Sequence, residues 1–321
     1  MSPSGGLGHL TRIVWEEAAM HFGVGLPHFR QVASTEAIVT VAQQAEALGF
    51  DSVWVSDHIV VPHSAIPRFG EVFFEPFTTL AYVAGKTRRI RLGTSVIILP
   101  YRNPLFMAKA LATLDVLSGG RLIVGAAVGW LAEEFQVLGI PFRERGARSD
   151  EALRVMRALW TEAEPEFEGK FFRFAGIKAE PKPLQKPHPP IWIGGSSPAA
   201  LKRAAEFADA WHPSHRPVED IAAGTAQFKA LAKARGRDPN NLQVIARAPL
   251  RVVMNGKAQE PRPLLVGTPE QIVEGIGKYK EAGVTGFMFD TCYGNPAVND
   301  QDLEGVLATL EAFAQKVRPK L

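Results

Sequence analysis

From residue 20 onward the chain alternates between two periods. Short runs of apolar, often β-branched residues recur, and between them lie stretches where apolar residues return every three or four positions. The first kind predicts strands covered on both faces; the second predicts amphipathic helices packed against them. Strands are expected over 21–26, 52–56, 90–97, 121–128, 191–193, 209–211, 242–253 and 286–289. Helices are expected over 35–48, 76–85, 104–117, 149–160, 198–207, 218–234, 269–282 and 303–316. In the first helix Ser34 is placed to cap, Ile38, Val41, Ala42, Ala45 and Leu48 make one apolar face, and Gly49 stops it. Strand then helix, repeated eight times, predicts an α/β protein: a closed (β/α)8 TIM barrel rather than a doubly wound sheet. The open alternative would carry a glycine-rich phosphate fingerprint after the first strand, and Gly25-Leu26-Pro27-His28-Phe29 lacks its spacing.

The rhythm pauses between the fourth and fifth units. Residues 167–174 read as a small hairpin turning near Glu168-Gly169, and prolines at 181, 183, 187, 189 and 190 impose an extended path. This is read as an insertion, so residues 20–321 form a single barrel domain. Residues 1–19 differ, because Met1 to Gly8 is rich in Ser, Pro and Gly. They are read as an extension, disordered or the product of a start site placed too early. Glu16-Glu17 requires purine-rich codons shortly before Met20, where translation is expected to begin.

Composition narrows the class. Hydrophobic residues make up 46% and charged residues 21%, enough apolar content for a large core. The net charge of +3 is scattered, so nucleic acid is not an expected partner. Cys292 is the single cysteine, which excludes an intrachain disulfide and a cysteine-based zinc site. No apolar run reaches the roughly 18–20 residues of a membrane span. A cytoplasmic protein is expected.

In such a barrel the chemistry belongs to the C-terminal strand ends. Those positions hold His28, Asp57, His58, Ser95, Val96, Gly129, Trp130, residues 194–197, Trp211, His212, His215, Arg251 and Asp290 to Tyr293. Aromatic, histidine and glycine residues in this arrangement suit a planar cofactor with a phosphate tail. His58 is either a polar residue beside a turn-capping Asp57 or a pocket histidine able to exchange a proton near neutral pH. Gly194-Gly195-Ser196-Ser197 joins a strand to a helix; it is either a tight turn or a backbone cradle for an anion. Ser118-Gly119-Gly120-Arg121 falls on the opposite face and reads as structural. His212 and His215 have no carboxylate or cysteine cluster beside them, so no metal is expected. Cys292 reads as a passive wall residue. Ser95 lacks the flanking glycines of a nucleophile elbow.

Several blocks in combination resemble the luciferase-like monooxygenase superfamily, with most similarity to its coenzyme F420-dependent branch. They are AEALGFDSVWVSDH at 45–58, RLGTSV at 91–96, ATLDVLSGGRL at 112–122, PIWIGGS at 190–196, and Asp209-Ala210-Trp211, where Ala replaces the family's Gly. The resemblance covers nearly all of the chain from Met20. It implies a β/α barrel with an insertion, a homodimer, a small-molecule substrate, and a non-prolyl cis peptide at Ser95-Val96 against the cofactor ring. Cofactor contacts are then expected from Asp57, Thr94, Ser95, Val96, Gly129 and Trp211, with Gly194, Gly195 and Ser196 on the phosphate. Substrate contacts are expected from His28, Trp130 and His215, and proton exchange from His58. Trp130 departs from the pattern, because sugar-phosphate dehydrogenases of the family carry an acid there; a sugar phosphate is not the expected substrate. Of Glu133 and Glu134, shortly after it, at least one is expected to point outward. The implied function is hydride transfer between F420 and a fairly apolar organic molecule. The alternatives are an FMN-dependent monooxygenase of the alkanesulfonate type, using oxygen, and a flavin-binding protein without turnover.

Overall fold

The computed structural model describes residues 20–254, 262–292 and 301–321. The apolar runs become strands β1 (His21–Gly25), β2 (Ser52–Val55), β3 (Arg91–Thr94), β4 (Leu122–Ala127), β5 (Ile191–Gly194), β6 (Ala210–His212), β7 (Gln243–Pro249) and β8 (Gly286–Asp290). The helices between and after them are α1 (Thr35–Ala47), α2 (Pro76–Lys86), α3 (Pro104–Leu117), α4 (Arg145–Thr161), α5 (Pro198–Phe207), α6 (Val218–Lys233), α7 (Pro269–Glu281) and α8 (Leu303–Ala312). Each strand pairs in parallel with its neighbours. Val24 lies beside Val53 on one side and Phe289 on the other, and Leu92 lies beside Leu122, so the ring closes. This is the closed eight-stranded barrel that the periodicity predicts.

Strand alternation sorts the side chains. Val24, Val53, Val55, Leu92, Val124, Ile193, Val244 and Phe287 face the helices and are buried among them. Trp54, Ile123, Trp192, Ala210, Ile245 and Met288 fill the interior. Trp54 is admitted by glycine, since a methyl group on Gly93 would lie 2.1 Å from its ring. Trp54 and Trp192 stack with centroids 4.5 Å apart. This pair makes the floor beneath the C-terminal mouth. Helix starts follow the capping rules: Ser34 Oγ accepts from Ala37 N–H at 3.0 Å, and Thr268 with Gln271 forms a reciprocal capping box.

The departures from expectation cluster near the mouth. The third strand is cut short: β3 ends at Thr94, Ser95–Val96 is a cis peptide, and Ile97–Ile98 pairs separately with Ala126 and Ala127. The seventh strand stops at Pro249 instead of continuing to 253, and Arg251–Val252 pairs with Val266–Gly267. Proline has no N–H to continue the ladder. A short helix, Ala132–Val137, precedes α4, and α4 itself begins four residues before the expected position. The loop after β2 contains a further short helix, Ile66–Phe69. The hairpin pairs Phe167–Glu168 with Arg173–Phe174, and the extended stretch after it contains cis bonds at Glu180–Pro181 and Lys186–Pro187. Residues 1–19 and Tyr293 lie outside the described residues. No described helix is long and apolar enough to cross a membrane, and no described cluster of three acidic, histidine or cysteine side chains is arranged to hold a metal.

Candidate active site at the mouth of the barrel

The charged residue of β7 is Arg247, on its inward face and alone in an apolar strand. Its Nε donates to Asp290 Oδ2 at 2.6 Å, and Nη1 donates to the Ser95 carbonyl at 2.6 Å and toward Ser56 Oγ at 3.3 Å. One side chain thus ties the ends of β2, β3, β7 and β8 together. Burial pushes the Asp290 carboxyl up, but Arg247 and His215 outweigh it and hold it at about 2. His215 Nε2 lies 3.3 Å from Asp290 Oδ2. The His215 backbone takes a left-handed φ of 50°, and its N–H donates to the Arg247 carbonyl at 2.9 Å.

Two histidines at the mouth are fully engaged. His212 Nδ1 is 2.6 Å from the Ile245 carbonyl and Nε2 is 2.8 Å from Ser95 Oγ. A carbonyl only accepts, so Nδ1 carries the hydrogen and Ser95 donates to Nε2. His28 repeats the pattern: Nδ1 donates to Leu26 O at 2.7 Å, and Nε2 accepts from Ser56 N–H at 2.7 Å. Burial lowers both imidazoles to about 4, which keeps them neutral at ordinary pH.

The other side of the mouth is built on β2 and the loop after β4. Asp57 accepts a bidentate pair from Arg102 at 2.6 and 2.9 Å and a third bond from Ile98 N–H at 2.9 Å. Its carboxylate therefore fastens the displaced strand after Ser95–Val96. His58 Nδ1 is 2.6 Å from Glu134 Oε2. The Glu134 side chain has no exposed surface; it also accepts from Tyr101 Oη at 2.8 Å and from Ile59 N–H at 2.7 Å. Burial pushes the Glu134 carboxyl up, but the His58 contact, Tyr101 and the Ile59 N–H bring it below the ordinary glutamate value. Phe69 and Phe73 flank the His58 ring at 4.6 and 5.1 Å. Glu133 points outward, as expected of one of this pair, and bonds Ser64. Trp130 is 55% exposed beside Phe69, and the Arg68 guanidinium covers both rings. Gly129, at φ 80°, lets the chain turn there; a methyl group would lie 2.7 Å from Ile98.

Gly194 closes β5 beside Val96. A methyl group on Gly194 would lie 3.3 Å from Val96 Cγ1 and 3.5 Å from Ala127. Gly195 takes φ 98°, Gly195 and Ser196 are exposed, and Ser197 caps α5 through Ala200 N–H. Trp211 holds this loop from behind, donating from Nε1 to the Gly195 carbonyl at 2.8 Å.

The expected site residues thus divide. His58, Ser95, Val96, Trp130, Gly194, Gly195, Ser196 and His215 lie at the C-terminal strand ends around the mouth. The polar atoms of His28 and Asp57 are committed to the protein itself, and the Thr94 hydroxyl bonds the Gly125 carbonyl at 2.8 Å. Trp211, expected on the pocket wall, is buried between β6 and α6 against Phe228; Ala210 and His212 take the inward positions of that strand. Arg251 is exposed beyond the end of β7, and Arg247 supplies the charge expected of that strand. Arg247, Tyr101, Arg102 and Arg68 are the residues that sequence reasoning missed; Glu134 was singled out only as one of a pair after Trp130, with no role given to it. Arg247 alone had a signal, as the one charge within the run 244–250.

A flat ring with a phosphate tail fits these residues. Gly25, Ala127 and Gly194 put little or no side chain at the strand ends above the tryptophan floor, and Met288 and Asp290 pack so close to Gly25 that a methyl group there would lie 2.9 and 3.3 Å from them. The exposed Gly195-Ser196 backbone at the start of α5 suits an anion.

The chain belongs to the luciferase-like monooxygenase family, whose profile matches residues 20–260. It is a luciferase-like oxidoreductase. It is 35% identical over 230 residues to an F420-dependent hydroxymycolic acid dehydrogenase of Mycobacterium tuberculosis, a match covering 71% of this chain and 61% of that protein. It is 33% identical over 199 residues to an FMNH(2)-dependent dimethylsulfone monooxygenase of Pseudomonas putida, covering 61% of this chain and 53% of that protein. Among solved structures, monooxygenase RslO1 of Streptomyces bottropensis superposes with a TM-score of 0.80 at 24% identity, covering 94% of this chain and 99% of that one. The coenzyme F420 dependent tetrahydromethanopterin reductase of Methanopyrus kandleri superposes with a TM-score of 0.76 at 21% identity, covering 94% and 99%. These two likenesses concern the fold.

Proposed function

We propose that the protein is an F420-dependent oxidoreductase that moves a hydride between the deazaflavin and a small, fairly apolar organic molecule. The observation that carries this reading is His58, held by a buried carboxylate and walled by Phe69 and Phe73 at the β2 end, on the same mouth as the Gly194-Gly195-Ser196 loop at the β5 end. When bound, the deazaflavin supplies a two-electron hydride carrier. The chain's own part is to hold the phosphate tail at Gly195 and Ser196, to seat the ring against Val96 and Gly194, and to exchange the one proton that a carbonyl–alcohol couple requires, at His58. Trp130 and Phe69 make an apolar wall for the substrate, with Arg68 at its rim. A homodimer is part of the same reading and is tested by sedimentation.

The second reading is an FMN-dependent monooxygenase, supported by the 33% identity to the dimethylsulfone enzyme. The two separate in a titration of the purified protein with F420 and with FMN, followed by tryptophan fluorescence. Trp130, Trp54 and Trp192 are the reporters; Trp160, buried in the helix layer with its Nε1 on the Ala108 carbonyl, serves as an internal reference. Tight binding of F420 and weak binding of FMN is the expected result. The reverse replaces this reading with the oxygen-dependent one.

A further inference from the structure

We propose that Glu134 is a positioning residue that holds the His58 proton on Nδ1, so that Nε2 is the atom exchanging a proton with the substrate. The substrate step rests on the oxidoreductase reading above; the tautomer does not. Glu134 Oε2 accepts from His58 Nδ1 at 2.6 Å and Tyr101 Oη at 2.8 Å, and Oε1 accepts from the N–H groups of Ile59 at 2.7 Å and Val60 at 3.3 Å. An ionised carboxylate only accepts, and a proton on this one would displace a donor. The imidazole must therefore donate from Nδ1 whether it is neutral or charged, and Nε2 is the nitrogen left for chemistry.

The other titratable groups around the ring are spoken for. Asp57, its chain neighbour, is closed by Arg102 and Ile98 N–H. His28, from the β1 end, uses both nitrogens within the protein. Tyr101 donates to Glu134 rather than to His58. When a carbonyl is reduced, its carbon gains a hydride from the reduced deazaflavin. Its oxygen takes the proton from Nε2; that N–H bond breaks, an O–H bond forms, and His58 is left neutral with its hydrogen on Nδ1. Alcohol oxidation runs the same steps backward. Glu134 stays ionised throughout.

The test is nitrogen-15 NMR of the histidine-labelled full-length protein, with the His58 signals identified by their loss in His58→Asn. The wild type is expected to show neutral His58 with Nδ1 protonated and Nε2 bare. Glu134→Gln is expected to mix the tautomers, while Glu134→Asp keeps the wild-type tautomer. A role confined to tying down the Ile59 and Val60 backbone would leave the tautomer unchanged in Glu134→Gln, and that result overturns the proposal. If Glu134→Gln does not fold, the wild-type spectrum decides: a hydrogen on Nε2 in the neutral ring overturns it. Titrating the same samples with F420 and FMN separates the two failures. Loss of cofactor binding with the Nδ1 tautomer retained removes the functional reading and leaves the positioning intact.

Discussion

The two ends of the barrel use charge in different ways. At the N-terminal end, charged side chains hold main chain. Glu46 accepts the N–H groups of Arg88, Arg89 and Ile90, and Arg121 donates to the carbonyls of Ala84 at 2.9 Å, Ile90 at 2.9 Å and Ser118 at 2.7 Å. Arg318 does the same for Leu48 and Gly49. Helix ends leave carbonyls without partners, and these guanidinium groups supply them. At the C-terminal end, charged side chains hold one another as well as main chain: Arg247 with Asp290, Arg102 with Asp57, and His58 with Glu134. Charges spent on the backbone stabilise the turn they occupy. Charges spent on each other fix reacting atoms in place and leave a field for a bound molecule to meet.

The comparison breaks first at Arg247. Arg247→Met leaves Asp290 buried without its guanidinium, and removing one partner of a buried pair costs about 3–5 kcal/mol. Urea unfolding should register that loss, together with disappearance of the fluorescence response to F420; near-wild-type stability would remove Arg247 from the centre of the mouth. The next effect is acid lability. His28 and His212 have folded values near 4, below the value of about 6.5 in the unfolded chain. Their folded states bind fewer protons, so their contribution is complete above pH 6.5 and is lost as pH falls toward 4, by about 3 kcal/mol each. Asp290, held near 2, adds a further loss between pH 4 and 2. Tm measured from pH 7 to 4 should fall steadily, and His212→Asn should flatten the slope.

At the other end Arg121→Ala should cost about 2 kcal/mol through carbonyls left without a donor, with F420 affinity unchanged. A shifted affinity there would erase the contrast between the two ends. The smallest expected effect on folding is Trp130→Ala, within about 0.5 kcal/mol because the side chain stands largely in water. It should instead diminish the fluorescence change on cofactor binding.

Much of the site was legible along the chain, because strand ends can be located from periodicity. His58, Ser95 and the Gly194-Gly195-Ser196 loop follow directly from where the apolar runs stop. Trp211 did not, since a strand of three residues can present either face, and only pairing with its neighbours put Ala210 and His212 inside. Glu134 lies 76 residues from His58, and Arg247 lies 152 from Ser95. No local pattern connects them.

The sequence by itself determined the closed barrel, the order of its units, the insertion after the fourth, and which strand ends carry glycine, histidine and aromatic residues. These follow from periodicity and backbone chemistry, which act within a few residues. Tertiary structure alone decided that Asp57 fastens a strand, that His28 and His212 are spent within the protein, and that Glu134 and Arg247 stand at the mouth. Hydrogen bonds and ion pairs between buried groups depend on distances that exist only once the ring has closed.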